Sequence, residues 1–297
     1  MEIKKILVPV DFSEFSDKAL EYAIEFAKQF DASLTLFHAI IIFQEDVDEE
    51  QRLEAYQEWV KNHEDRITRR IVGHRQKAHG HGIQVDTVVQ RGISPADVIL
   101  EYIEENNFDL IVMGTHGRSG LKHLFLGSVA EKVSRISKIP VLTVHRSVKE
   151  FQMQNLLVAV DFSPYSKEAT DYAVALAKKF HSRIKFIHVI EKEIHPSFYA
   201  SGISSIFEID TDLEQRVIEN MKTFLEDQLQ PEGQYDYIVK EGRPHKEIVE
   251  FSQEDHTDMI IIASHGLTGL DYILLGSTAE KVVRWANSPV LIVKKRT

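Results

Sequence analysis

Gly127-Ser128-Val129-Ala130-Glu131-Lys132-Val133 opens an eighteen-residue stretch that closes on Pro140-Val141-Leu142-Thr143-Val144. The stretch returns as Gly276-Ser277-Thr278-Ala279-Glu280-Lys281-Val282, closing on Pro289-Val290-Leu291-Ile292-Val293. Eleven of the eighteen positions are identical at an offset of 149. Upstream, Val10-Asp11-Phe12-Ser13 recurs as Val160-Asp161-Phe162-Ser163 at an offset of 150. One residue is therefore lost between Gly92-Ile93-Ser94-Pro95 and Gly242-Arg243-Pro244. A period near 150 residues is a duplicated domain, far longer than a solenoid repeat. The boundary is expected near Ser147–Gln152, giving domains 1–147 and 152–297.

Working outward, each half alternates strand and helix signals. Ile6-Leu7-Val8-Pro9-Val10 is a short apolar run ending at Asp11, the pattern of a strand buried on both faces. Ala19, Leu20, Ala23, Ile24, Phe26 and Ala27 recur at helical spacing. Residues 33–39 read as a second strand, the Glu-rich segment 45–77 as a long helix and 83–90 as a third strand. A helix over 95–105, a strand over 110–113, a helix over 128–137 and a last strand over 141–144 complete the half. The βαβα rhythm predicts a mostly parallel sheet with helices on both faces, twice. In the second half, residues 194–210 lack periodicity and carry Pro, Gly and aromatics; they are expected to form a surface loop or a lid-like, partner-contacting segment.

The chain has 297 residues, 43% of them hydrophobic, so a packed core is expected and general disorder is excluded. Acidic residues number 46 against 35 basic ones, a net charge of −11. That balance argues against a nucleic-acid binder, which would show a basic face. With no Cys, disulfides, thiolate metal sites and cysteine nucleophiles are ruled out. No apolar run approaches the roughly 18 residues of a membrane span, and the opening residues do not form a secretory leader. The expectation is a cytoplasmic protein without membrane partners.

Open parallel sheets bind ligands beyond the carboxyl ends of their strands, where strand order reverses. The loops after the first and fourth strands should border one crevice. The latter reads Gly114-Thr115-His116-Gly117-Arg118-Ser119-Gly120 and runs on to Gly127-Ser128. Glycines permit close backbone approach, and the free N–H groups of a helix beginning near Ser128 would attract an anion such as phosphate. A ligand-free reading stands beside this one. Ser128-Val129-Ala130-Glu131 and Ser277-Thr278-Ala279-Glu280 both fit a capping box, and Asp11 fits a helix cap. His116 and His265 fit either a ligand contact or a bond to local backbone. The segment His79-Gly80-His81-Gly82, with His74, fits a solvated loop or a metal site.

Gly114, Gly117, Gly127 and Ser128 reproduce a Gly-x-x-Gly, nine residues, Gly-Ser spacing. Together with the Val-Asp-Phe-Ser starts and the Pro-Val-Leu last strands, this resembles the ATP-binding branch of the universal stress protein family over both halves. The resemblance implies two tandem Rossmann-like domains of the adenine nucleotide alpha hydrolase-like kind. Each would be a five-stranded parallel sheet of order 3-2-1-4-5 holding ATP or a related adenine nucleotide, with Mg²⁺ left open. By position, adenine and ribose contacts would fall on Pro9, Asp11, Ala39, Met113 and Gly114. Phosphate contacts would fall on Gly117, Arg118, Ser119, Gly127, Ser128 and Val129. The second half offers Asp161, Val189, Ile262, Ala263, Gly266, Gly276, Ser277 and Thr278. Ala159 stands there where the first half has Pro9, and Ala263 where it has Gly114, so the latter methyl would crowd the nucleotide unless the local φ is negative. The resemblance also implies pairing through the last strand, here an internal pseudo-dimer with further homodimerisation left open.

Neither a Walker A motif nor Gly-x-Gly-x-x-Gly is present. The acids placed by the motifs, Asp11 and Asp161, belong at the nucleoside end, so hydrolysis lacks a positioned base. The expected function is a nucleotide-binding stress-response regulator or sensor that meets an unidentified protein partner. A weak ATPase and a nucleotide-free interaction scaffold are the alternatives.

Overall fold

The computed structural model describes residues 2–41, 50–116, 126–145, 151–191, 205–266 and 275–294. The first half runs β1 (Lys5–Pro9), α1 (Glu14–Phe30), β2 (Ser33–Ile41), α2 (Glu50–His79), β3 (Val85–Gly92), α3 (Pro95–Glu105), β4 (Leu110–Gly114), α4 (Ser128–Ile136) and β5 (Val141–Val144). The second runs β6 (Asn155–Ala159), α5 (Pro164–Phe180), β7 (Arg183–Glu191), α6 (Ile206–Ile209), α7 (Leu213–Leu225), β8 (Tyr235–Gly242), α8 (Pro244–Glu254), β9 (Met259–Ala263), α9 (Ser277–Trp285) and β10 (Val290–Val293). The expected strand–helix alternation is present in both halves.

All ten strands form one sheet, ordered β3-β2-β1-β4-β5-β10-β9-β6-β7-β8. Within each half every pairing is parallel in the expected order 3-2-1-4-5. At the seam β5 and β10 pair antiparallel, with Val290 opposite Thr143, Leu291 opposite Leu142 and Ile292 opposite Val141. Antiparallel pairing of two equivalent edge strands is what a pseudo-twofold axis requires, and it covers the edge each half would otherwise expose.

Alternate residues of the strands feed two apolar layers. Ile6, Val8, Leu34 and Leu36 pack with α1, α2, α5 and α7 on one face, together with Leu142 and Leu291 from the seam. Leu7, Phe37, Ile111, Val141, Val290 and Ile292 pack with α3, α4, α8 and α9 on the other. Each layer is thus continuous through the seam. An aromatic cluster reinforces the first: Phe26 and Phe30 of α1 meet Phe180 of α5 at centroid distances of 5.5 and 6.3 Å, and Phe151 joins at 5.7 Å from Phe180.

The segment expected as a loop over 194–210 departs from that expectation at its end. Ser205 caps the short helix α6, its hydroxyl accepting from Phe207 N at 3.1 Å. Glu241 on β8 anchors this start by accepting from Ser205 Oγ and Ile206 N at 2.6 and 2.9 Å. A local cap plus a carboxylate 35 positions away carries no periodic signal, so the sequence reading missed it. Residues 194–204 lie outside the described residues.

Candidate functional site

Each half turns sharply where its first strand ends. After Asp11 the backbone places Phe12 at φ 63°, and the matching Phe162 stands at 61°. Left-handed backbone at a large aromatic residue costs energy and persists only where the surroundings impose it. The imposition is visible: Asp11 Oδ1 accepts from Ser13 N at 3.0 Å and from Ser13 Oγ at 2.6 Å. Ser13 then caps α1 by accepting from Ser16 N at 3.3 Å. Asp161 Oδ1 accepts from Ser163 N at 3.0 Å, and Ser163 caps α5 in the same way. Asp11 is therefore not the helix cap that the sequence allowed. The serine two residues on takes that role, and the carboxylate fixes the turn at the crevice mouth.

Beside each turn lies a crevice at the carboxyl end of the sheet. In the first half Pro9, Asp11, Ala39, Met113, Gly114, Gly127, Ser128 and Val129 all line one cavity of about 420 Å³. Gly117, Arg118 and Ser119 lie outside the described residues. In the second half Asp161, Val189, Ile262, Ala263, Gly266, Gly276, Ser277 and Thr278 line a cavity of about 390 Å³, with Ala159 in the place of Pro9. The geometry thus gathers every described candidate of each half into one crevice.

At one end of the crevice the α4 N-terminus points inward. Its N-cap is Gly127, which has no side chain to cap with, and Ser128 is already the first helical residue. The same holds for Gly276 and Ser277 of α9. The capping-box reading is therefore wrong in both halves: the serine sits one position too late, and neither helix has a side-chain cap bond. Glu280 instead accepts from Arg284 at 2.7 Å. The register is set by tertiary bonds, Gly127 N to Thr115 O at 2.8 Å and Gly276 N to Ser264 O at 2.7 Å. First-turn amides have no intrahelical acceptor, so Ser128, Val129, Ser277 and Thr278 bring N–H groups without a helical partner to the crevice walls they line, at the positive end of a helix dipole.

Gly127 is closely packed: a Cβ there would stand 3.0 Å from Thr115 O, a tight contact. Gly114 meets another neighbour. A Cβ at Gly114 would lie 2.8 Å from the backbone of Phe15, so this glycine serves the close approach of α1 to β4. Its counterpart Ala263 is not among the positive-φ residues, and it is buried in the apolar cluster that holds Ala169 and Ala173 of α5.

The opposite end is an apolar slot. Phe37, Ala39 and Ile41 share one face of β2, opposed by Pro95 and Ile99 of α3; Ile187 and Val189 of β7 face Pro244 and Ile248 of α8 in the second half. Sequence reading passed over His38 and His188, although their offset of 150 was a usable signal. Both line their crevices, and their Nδ1 atoms lie 2.6 and 2.7 Å from the carbonyl oxygens of Val10 and Val160. A carbonyl can only accept, so each Nδ1 carries the proton. His116 and His265 bond the neighbouring hydroxyls of Thr115 and Ser264 at 3.1 and 2.9 Å. His74 bonds Asp17 at 2.8 Å. Among the described residues no group of three or more His, Asp or Glu side chains is placed to hold a metal ion, and no helix is long and apolar enough to cross a membrane.

Comparison with known proteins places this geometry. The universal stress protein family description matches residues 2–145 and again 153–294. A universal stress protein of Methanocaldococcus jannaschii is 34% identical over 148 residues, covering 50% of this chain and 85% of that protein. One from Mycolicibacterium smegmatis is 25% identical over 305 residues, covering 98% of this chain and 97% of its own. The crystal structure of a universal stress protein from Archaeoglobus fulgidus superposes over the full length of both chains with a TM-score of 0.69 at 26% identity.

Proposed function

The chain belongs to the universal stress protein family as a tandem two-domain member, and from that premise we propose that it is a regulatory protein binding an adenine nucleotide, foremost ATP, in each crevice. The domain limits that go with this reading are 1–147 and 152–297. One observation carries it: a first helical turn with no side-chain cap faces the far end of an apolar slot, in both halves. A planar base suits the slot, and a chain of phosphates suits the amides of Ser128 and Val129, or of Ser277 and Thr278. Asp11 and Asp161 stand at the turn between them, within the reach of ribose hydroxyls.

In the first crevice the same residues favour binding over turnover. Asp11 Oδ1 is committed to the Ser13 amide and hydroxyl, and no other described carboxylate lines the first crevice. Hydrolysis needs a base that orients water near the terminal phosphate. Any Mg²⁺ would arrive with the phosphates and take its ligands from them and from water. Nucleotide occupancy would then be the state that a protein partner reads.

Native mass spectrometry tests this reading by counting adenylates per chain. Ser128 and Ser277 are exposed first-turn positions, where a carboxylate favours the helix but repels phosphate. Ser128→Glu and Ser277→Glu should each remove one bound nucleotide without loss of helical circular dichroism. Retention of both nucleotides in the double variant contradicts the assignment.

A further inference from the structure

The two crevices are not equivalent at their slot ends. Ile41 ends the β2 stripe of the first crevice, and Glu191 ends the β7 stripe of the second. The positions correspond in sequence at an offset of 150 and in sheet register, Ile41 opposite Gly92 and Glu191 opposite Gly242. Strand alternation puts Glu191 on the face of Ile187 and Val189, the floor of the slot. Its side chain is exposed, so it stands at the open rim where a base would protrude furthest from the helix that holds its phosphates.

Resting on the nucleotide reading above, we propose that Glu191 gives the second crevice a stronger preference for a purine carrying an amino group on its outer edge than the first crevice has. A carboxylate side chain accepts hydrogen bonds, whereas an isoleucine side chain neither donates nor accepts. An exocyclic amine such as that of a 6-aminopurine donates to Glu191; a purine without it leaves the carboxylate to water. Because the rim is open, the lost bond is replaced by solvent. The discrimination is therefore moderate, about tenfold, the effect of one charge-assisted hydrogen bond, rather than the far larger factor of a sealed polar site. Negative charge at Glu191 also weakens every polyphosphate alike, so the ratio of two affinities isolates the base contact from that background.

The test compares ATP with purine riboside triphosphate, which lacks the amino group, by calorimetry on the full chain. Carrying Ser128→Glu to silence the first crevice, the protein should prefer ATP by about tenfold. Adding Glu191→Ile should bring the ratio to about threefold or less, and Glu191→Gln, which keeps an acceptor oxygen and the side-chain length, should fall between. In a Ser277→Glu chain the first crevice should show about threefold preference or less, and Ile41→Glu should raise it. ATP binding with a ratio unmoved by Glu191→Ile overturns the selectivity alone. No binding of either nucleotide to the Ser128→Glu chain overturns the nucleotide reading of this crevice, and the selectivity with it.

Discussion

Lys294 Nζ donates to the carbonyl oxygen of Ser134 at 2.5 Å. Its symmetry mate in the fold is His145, whose Nε2 lies 3.2 Å from the carbonyl oxygen of Val283. Residues 145 and 294 each follow the last strand of a half, and residues 134 and 283 are matching positions near the ends of α4 and α9. Each half thus caps the C-terminal end of the other's last helix with an N–H donor, where the helix dipole is negative. The same helices present their opposite ends to the crevices, so the seam holds in place the turns proposed to grip phosphate.

Replacing that donor by an acceptor should open the seam. Lys294 is buried, which pushes its ammonium down to about 8, and it reaches Arg135 O as well as Ser134 O. Lys294→Glu would set a carboxylate against both carbonyls and should cost about 3 kcal/mol. Urea unfolding near pH 7.5 measures it. A loss below about 1 kcal/mol would mean the clasp contributes little.

His145 gives the stability a pH dependence of known sign. Burial holds the folded imidazole neutral down to about 4, against 6.5 for an unperturbed group. Between those values the unfolded chain binds the extra proton, so stability rises with pH there. The contribution is complete above 6.5, declines as pH falls towards about 4, and amounts to about 3 kcal/mol at full extent. His145→Gln keeps a donor for Val283 O but does not titrate. The difference between wild-type and variant unfolding free energies should follow this window, and parallel profiles would refute it.

The two halves should respond differently to a methyl group at the last residue of the fourth strand. Gly114→Ala forces a Cβ within 2.8 Å of the Phe15 backbone and should destabilise by roughly 1–3 kcal/mol, the usual cost of overpacking. Ala263→Gly removes a buried methyl that the second half already accommodates, and about 1 kcal/mol is expected. Thermal unfolding of both variants checks this; a Gly114→Ala chain as stable as the wild type contradicts the packing role given to Gly114.

Nucleotide affinity should not fall steeply with salt. A net charge of −11 repels ATP at long range, and the proposed attraction is by short-range amide contacts that salt screens little. Calorimetric titrations between low and high sodium chloride should give a flat or slightly rising affinity. A steep loss would point to clustered basic side chains instead.

Much of this was legible in the sequence because it was written twice. Two copies of Val-Asp-Phe-Ser and of the Gly-Ser…Pro-Val-Leu stretch gave the domain count, while the strand order and the pairing of residues 141–144 with 290–293 came from the family resemblance those motifs carry; the structure has both. The misreadings share a cause. Ser128 looked like a cap because the bond that moves the helix start to Gly127 comes from Thr115, a tertiary contact without local signature. Asp11 looked like a cap because the serine that replaces it is only two residues away. His145 and Lys294 do the same task with different chemistry, so a search for repeated residues passes over them. His38 and His188 repeat faithfully but sit inside strands, where a histidine reads as filler.

The central claim is that main-chain amides of the first turns of α4 and α9 hold the phosphates. Following backbone ¹H–¹⁵N resonances of the full chain during an ATP titration tests it most directly. The account predicts saturable downfield shifts of the Ser128, Val129, Ser277 and Thr278 amides, as expected for N–H groups that gain a charged acceptor. Saturable binding that leaves those four resonances in place would contradict it.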